Sequence, residues 1–322
     1  MRCMDMHRSL LVASLAAALA LPASAGASTV SAVPEPGTSF FTTTFTAASG
    51  PASNATLTGT TWTDAGQTLT AGANCASAAG AVTCPAGNAI VELAGGADRF
   101  TNSFYAFDLT VRGRGGDDTI TANGNATRVS GGAGEDTLDL RANGGPTGDG
   151  DGGDDALRGG YPTNFAAVLN GGADDDLVVG GSHRDTLTGG GGEDQIFTVW
   201  GEDGTASGGK GNDVIVNLTA STRLPGFFTA KGDGGSDTIV GGRYDDAVEA
   251  GPGDDLVDVS GDEGVDTVSC GTGDDTVYAD AGDTIAADCE DVLAGPAPDL
   301  PEVDEAVAHL KAAFPGTNTG GR

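Results

Sequence analysis

The chain's 322 residues carry 46 acidic against 15 basic side chains, 55 glycines, 5% aromatics and five cysteines. A formal net charge of −31 opposes nucleic-acid phosphates and anionic lipid, and glycine at about 17%, against a usual ~7%, excludes an ordinary helical or mixed enzyme core. Asp outnumbers Glu 36 to 10; a short carboxylate beside glycine belongs to turns and cation sites, so the expected partner is a metal.

At the N-terminus, Arg2 and Arg8 precede an apolar run from Leu10 to Leu21, then Pro22 and the small-residue site Ala23-Ser24-Ala25. This is the pattern of a secretory leader, assigned to residues 1–25. A membrane anchor needs ~20 apolar residues, and the run breaks at Pro22. The expectation is a secreted, extracellular protein with no membrane span. Its mature part holds 13 basic and 45 acidic residues, a net charge of −32, in a compartment where calcium is roughly millimolar and weak calcium modules are loaded.

Residues 26–92 are rich in Thr, Ala and Ser, with strand patterns around Phe40–Phe45, Leu57–Trp62 and Ile90–Leu93, and read as a small β-rich cap. Trp62 and Phe41 are core positions in this reading; a surface-glycan contact is the alternative. Cleavage of the leader removes Cys3 and leaves Cys75, Cys84, Cys270 and Cys289. An even number in an oxidising compartment points to disulfides, with local pairing expected. A zinc site is the rival, but there is no CxxC spacing and the mature chain has only His183 and His309.

From residue 93 a nonapeptide recurs: two glycines, a variable residue, glycine, a polar residue, Asp, a variable residue, then an apolar one. The copies start at Gly113, Gly131, Gly150, Gly171, Gly180, Gly189, Gly208, Gly232, Gly241, Ala250, Gly261 and Cys270, with a degenerate first member at Leu93. Its glycines permit positive φ and close backbone approach, so six residues can wind a tight turn with carbonyls directed inward. The sixth-position Asp adds a charged oxygen. The eighth residue, from Ile120 and Leu138 through to Val268 and Val277, starts a short strand that points one side chain into the core.

These copies resemble the GGxGxDxUx repeat of RTX, or haemolysin-type, calcium-binding proteins. The resemblance implies an all-β parallel β-roll (right-handed β-solenoid) over residues 93–290, with two nonapeptides per coil. It also implies Ca2+ between turns of successive coils, held by turn carbonyls and the sixth-position Asp. A ligand then needs a partner about one coil away. Asp118, Asp136, Asp155, Asp176, Asp194, Asp213, Asp237, Asp255 and Asp275 are separated by 18, 19, 21, 18, 19, 24, 18 and 20 residues, an unbroken ladder on one face. The glycines expected to shape these sites are Gly131, Gly134, Gly171, Gly189, Gly192, Gly208, Gly211, Gly232, Gly235, Gly253 and Gly273.

The opposite face offers Asp185, Asp246 and Asp266, with Asp203 as a weaker addition. Its other turns lack the Asp, and His183 and Tyr244 replace the fourth-position glycine, where a left-handed backbone suits neither. On the first face Asp174 makes the same replacement. The roll is therefore expected to be one-sided, with Asp136 and Asp194 mattering more to calcium than Asp185 and Asp246. Stacking at ~4.8 Å spreads the Asp-bearing coils over roughly 45 Å. Cys270 and Cys289, 19 residues apart, then fall one coil from each other, within the Cα range of a disulfide.

Residues 291–322 read as a linker and a short helix from Pro301 to Phe314, with the apolar stripe Val303, Val307, Leu310 and Phe314 expected to pack on the roll. The alternative is a partner-binding helix. No HExxH and no GxSxG with a helix behind it occurs, so no enzymatic activity is expected. A calcium-assisted lyase using Arg158, Arg184 or Arg223 is the remote alternative, and a calcium-dependent adhesin or matrix protein with a cell-surface glycan or protein partner the nearer one.

Overall fold

The computed structural model describes residues 27–36, 40–50, 52–103, 108–142, 144–159, 165–181, 184–199, 204–218, 227–262, 264–298, 300–317 and 319. The leader, His183, Asp203 and Arg223 lie outside them.

Two sheets, of 14 and 15 strands, face each other along the chain. Each coil gives one strand to each. In sheet A these include Leu109–Gly115, Thr127–Ala133 and Thr147–Gly152; in sheet B, Thr119–Ala122, Thr137–Leu140 and Ala156–Gly159. Every neighbouring pair from Gly87 onward in sheet A and from Arg99 onward in sheet B is parallel, so the expected roll is the observed fold. The turn from sheet A into sheet B forms the main edge, and the turn back forms the second edge.

The core is two stacked columns, because the period-two alternation of each strand sends the eighth repeat residue inward. In sheet B, Ile120, Leu138, Leu157, Val178, Ile196, Ile215, Ile239, Val257 and Val277 pair rung on rung. Sheet A answers with Val111, Val129, Leu169, Leu187, Ala206, Ala230, Val248 and Val268, all buried. Gly148 fills the rung between Val129 and Leu169.

Parallel stacking runs without a break across residue 93. Phe41–Thr46 pairs with Gly87–Glu92, and Asn54–Thr58 with Arg99–Asn102. The N-terminal strands thus extend the roll's own sheets, and antiparallel additions then close that end: Ser28–Pro34 on Phe41–Thr46, and the hairpin Asn54–Thr58 with Thr61–Asp64. Trp62 stacks on Phe45 at 5.6 Å between ring centroids and is 1% exposed, a core residue with no face left for a glycan. Cys75 and Cys84 bridge the hairpin of Ala76–Ala78 and Ala81–Thr83. Cys270 and Cys289 bridge the last coils, with their Cα atoms 5.1 Å apart.

Helix α1 (Pro301–Ala313) lies across the outer face of sheet B. Val303, Ala306, Leu310 and Phe314 cover Leu177, Val179, Phe197, Val199, Val216, Leu218 and Val240. Arg158 fastens its far end, pairing with Asp139 at 2.8 Å and standing 4.7 Å over the Phe314 ring. The expected packing stripe is the observed one, with Ala306 added and Val307 only partly covered.

Candidate metal centre

On the main edge each copy builds the same turn. The second and fourth residues take left-handed backbone, as at Gly190 (φ +129°) and Gly192 (φ +149°). Gly134, Gly211, Gly235, Gly253 and Gly273 repeat the fourth-position conformation, and Asp174 adopts it too, at φ +76°. A Cβ at Gly211, Gly235, Gly253 or Gly273 would also overlap the fourth-position carbonyl of the coil before it. Stacked turns thus present backbone carbonyls to the next coil at a distance only glycine tolerates.

The sixth-position aspartates form one hydrogen-bonded column. The Asp118 N–H donates to Asp136 Oδ1 at 2.7 Å, Asp136 to Asp155 at 2.7 Å, Asp155 to Asp176 at 2.8 Å, and Asp176 to Asp194 at 2.9 Å. Asp194, Asp213, Asp237 and Asp255 continue it to Asp275. One oxygen of every carboxylate is spent in this way. The other, Oδ2, is shut off from solvent and accepts no hydrogen bond in Asp118, Asp136, Asp155, Asp176, Asp194, Asp213, Asp237, Asp255 and Asp275. Each such aspartate is almost wholly buried.

The first-position glycine makes room for that oxygen. A Cβ on Gly131, Gly171, Gly189, Gly208 or Gly232 would overlap the Oδ2 of Asp136, Asp176, Asp194, Asp213 or Asp237 respectively. A row of buried carboxylate oxygens without donors is costly unless something positive sits among them. Oxygen-only donors from carboxylates and carbonyls are the set a hard cation such as Ca2+ takes. The residues therefore fit the ion that the repeat implies.

Burial is the main cause of the raised carboxyl pKa values. Desolvation pushes Asp176 up to about 8, Asp118, Asp155, Asp213 and Asp237 to about 7, and Asp136 and Asp194 to about 6. The N–H from the preceding coil pulls each back, while neighbouring carboxylates add to the rise, Asp194 and Asp155 upon Asp176 for example. Asp255 and Asp275 shift upward for the same first reason.

The second edge is built differently. Asp185 accepts the Ala167 N–H at 2.7 Å and also bonds to the backbone of Gly181. Asp246 Oδ2 accepts the Gly242 N–H at 2.6 Å. Gly242, the second residue of its copy, does not adopt the left-handed region, so its N–H stays turned toward the carboxylate that follows. Tyr244 likewise is not left-handed. Each of these two carboxylates thus accepts an N–H from its own turn, Gly181 or Gly242, which no main-edge Oδ2 does, although burial still raises both to about 7. Asp266 accepts the Asp246 N–H on Oδ1 at 2.7 Å and keeps Oδ2 free, and burial lifts it to about 7.

The structure extends the column at both ends, to Asp98 of the degenerate first copy and to Glu290, which no copy marks. Asp98 begins the column, its N–H donating to Asp118 Oδ1 at 2.7 Å, but its own oxygens accept the N–H groups of Ser53 and Ala94, leaving none free. Glu290 ends the column by accepting the Asp275 N–H at 3.1 Å. An outer, exposed column runs the opposite way through the fifth position: the N–H of Glu193 reaches back to Asp175 at 2.7 Å, and that of Asp274 to Asp254 at 2.9 Å. Its sequence signal is the polar fifth residue of each copy. With Glu302, Glu305 and His309 of α1, this outer column lines a cleft of about 650 Å³.

A family model for the RTX calcium-binding nonapeptide repeat matches the chain in four copies, at residues 110–139, 163–196, 231–260 and 260–283. No curated protein and no solved structure matches it significantly.

Proposed function

For this protein of RTX calcium-binding nonapeptide repeats, we propose that Ca2+ along the main edge drives the roll to fold and makes it stiff. The role is structural or interactive, not catalytic, and is exercised outside the cell. The observation that carries this reading is the column of nine buried Oδ2 atoms, Asp118 to Asp275, without a donor. Metal-free, these carboxylates face one another about one strand spacing apart, and their repulsion opposes a core only two thin columns wide. Bound calcium supplies the missing positive charge, and because the turns exist only in the folded chain, binding energy becomes folding energy.

Each main-edge rung offers the Oδ2 of its Asp, with the turn carbonyls above and below. Oδ1 remains in the ladder and holds the carboxylate in place. Arg158, one of the three arginines a lyase could use as base, is engaged by Asp139 and Phe314, which supports the non-catalytic reading at that position. The apolar N-terminal run supports export. Among the described residues no helix is long and apolar enough to cross a membrane.

Far-ultraviolet circular dichroism and thermal melting, with calcium and with a chelator, test the proposal. A gain of strand signal and a rise in Tm on adding calcium are expected. The same spectrum and Tm in both conditions would remove calcium from the folding of the roll.

A further inference from the structure

We propose that the second edge carries one divalent-cation site built from side chains, Asp246, Asp262 and Asp266, with Asp262 supplying a carboxylate that the repeat does not specify. Carboxylate oxygens of the three lie within 4.8 Å of one another. Asp262 stands at the second position of the copy GDEGVD, where the repeat has glycine. Its Oδ1 is fixed by the Gly264 N–H at 2.7 Å, and its Oδ2 is out of solvent with no donor. Asp266, 0% exposed, has its Oδ1 held by the Asp246 N–H, while its Oδ2 is equally unpartnered. One turn thus supplies two carboxylates that each keep a buried oxygen without a donor, clustered with a third carboxylate from the turn before it.

The surrounding acids are frame rather than ligand. Asp283 spends Oδ1 on the Asp266 N–H at 3.0 Å and Oδ2 on the Asp280 N–H at 2.6 Å. Asp280 Oδ2 in turn accepts from Gly261 at 2.8 Å, and Asp245 Oδ1 from Val265 at 2.9 Å. The buried oxygens without a donor here are Asp262 Oδ2 and Asp266 Oδ2; Asp246 adds a carboxylate whose Oδ2 also accepts the Gly242 N–H and keeps a second lone pair for a cation. An oxygen-only set with three formal negative charges suits a calcium-sized hard cation. It differs from a main-edge rung, where each coil contributes one aspartate and the turn backbone contributes the rest. The site rests on the calcium reading only for the identity of the ion.

Calorimetric titration of the disulfide-intact chain with CaCl2 tests it, using the wild type, Asp262→Asn, Asp262→Gly and Asp194→Asn, with strand content followed by circular dichroism. Asp262→Gly restores the repeat's own residue, so a folded variant is expected. Both Asp262 variants should lose one equivalent of calcium, or bind it at least about tenfold more weakly, with the calcium-induced strand signal retained. Asp194→Asn should instead weaken the main-edge sites and keep the Asp262-dependent equivalent. Wild-type binding that both Asp262 variants reproduce overturns this site and leaves the main-edge reading intact. A wild type with no calcium-linked gain of strand, yet with one Asp262-dependent equivalent, does the reverse.

Discussion

Asp176 donates its backbone N–H to Asp194 Oδ1 at 2.9 Å, across one whole coil, while Asp194 Oδ2 meets neither solvent nor donor. One carboxylate thereby serves two purposes: one oxygen locks the stack and the other is reserved. The division separates main-edge aspartates from Asp185, whose carboxylate is closed by the backbone of Ala167 and Gly181.

Asp136→Asn and Asp194→Asn should weaken calcium binding by on the order of tenfold or more, about 1.4 kcal/mol or above, whereas Asp185→Asn should change it little. In chelator the order reverses for Asp194→Asn. Removing a buried charge relieves the repulsion, so the metal-free variant should melt above the metal-free wild type. Calcium titrations and paired melts read both effects, and equal calcium losses at all three positions would refute the division between the edges.

Glycine substitutions should sort by position. Gly189→Ala places a methyl group on Asp194 Oδ2, and Gly131→Ala does so on Asp136 Oδ2; each should cost about 1–3 kcal/mol together with calcium affinity. Gly191 and Gly152, at the third position, have open space where a methyl group would stand and no left-handed backbone. Alanine there should stay within about 0.5 kcal/mol. Denaturant melts in calcium distinguish the two classes.

The pH dependence should change sign with calcium. Buried aspartates such as Asp155 and Asp213, ordinarily near 3.8, are held at about 7 in the metal-free fold. The folded chain then binds more protons than the unfolded one between these values, so the stability these groups contribute is fullest below about pH 4 and is lost as pH rises through 7. Calcium competes with those protons and binds the ionised form. In chelator the melt at pH 5 should exceed that at pH 8; in saturating calcium the difference should shrink or reverse. A metal-free Tm that climbs from pH 5 to pH 8 would contradict the burial of these groups.

Helix α1 should matter to the roll's stability through its apolar face. Leu310→Ala removes a fully buried side chain from the seam with sheet B and should cost about 2–5 kcal/mol. An exposed control, Glu305→Ala, should cost little. The comparison is made by chemical melts at one calcium concentration, and equal, small losses would mean the helix does not hold to the sheet in solution.

The nonapeptide period made the architecture legible because it is both structural and chemical. Inward eighth residues such as Ile196 and Val257, the sixth-position aspartates and the Cys270–Cys289 pair all follow from one coil length. The seat of α1 was less visible. Its signal lies in copies where alternation fails, such as Leu177-Val178-Val179 and Val214-Ile215-Val216, strands whose apolar residues face both the core and the helix. Asp98 was already marked as the sixth residue of the degenerate first copy at Leu93, whereas Asp262 and Glu290 were hidden because the first stands at a glycine position and the second is a glutamate outside any copy.

The sequence by itself determined a chain of acidic glycine turns alternating with short strands, and the family that its repeat resembles implied the parallel roll; a local rule repeated every nine residues propagates without long-range information. Which aspartates keep an oxygen free was decided only by the stacked structure. A carboxylate's fate depends on whether a turn N–H reaches its Oδ2, as that of Gly242 reaches Asp246, or none does, as at Asp194, whose turn carries the left-handed Gly190. Both positions are glycine in the sequence, and only the surrounding coils set their backbone.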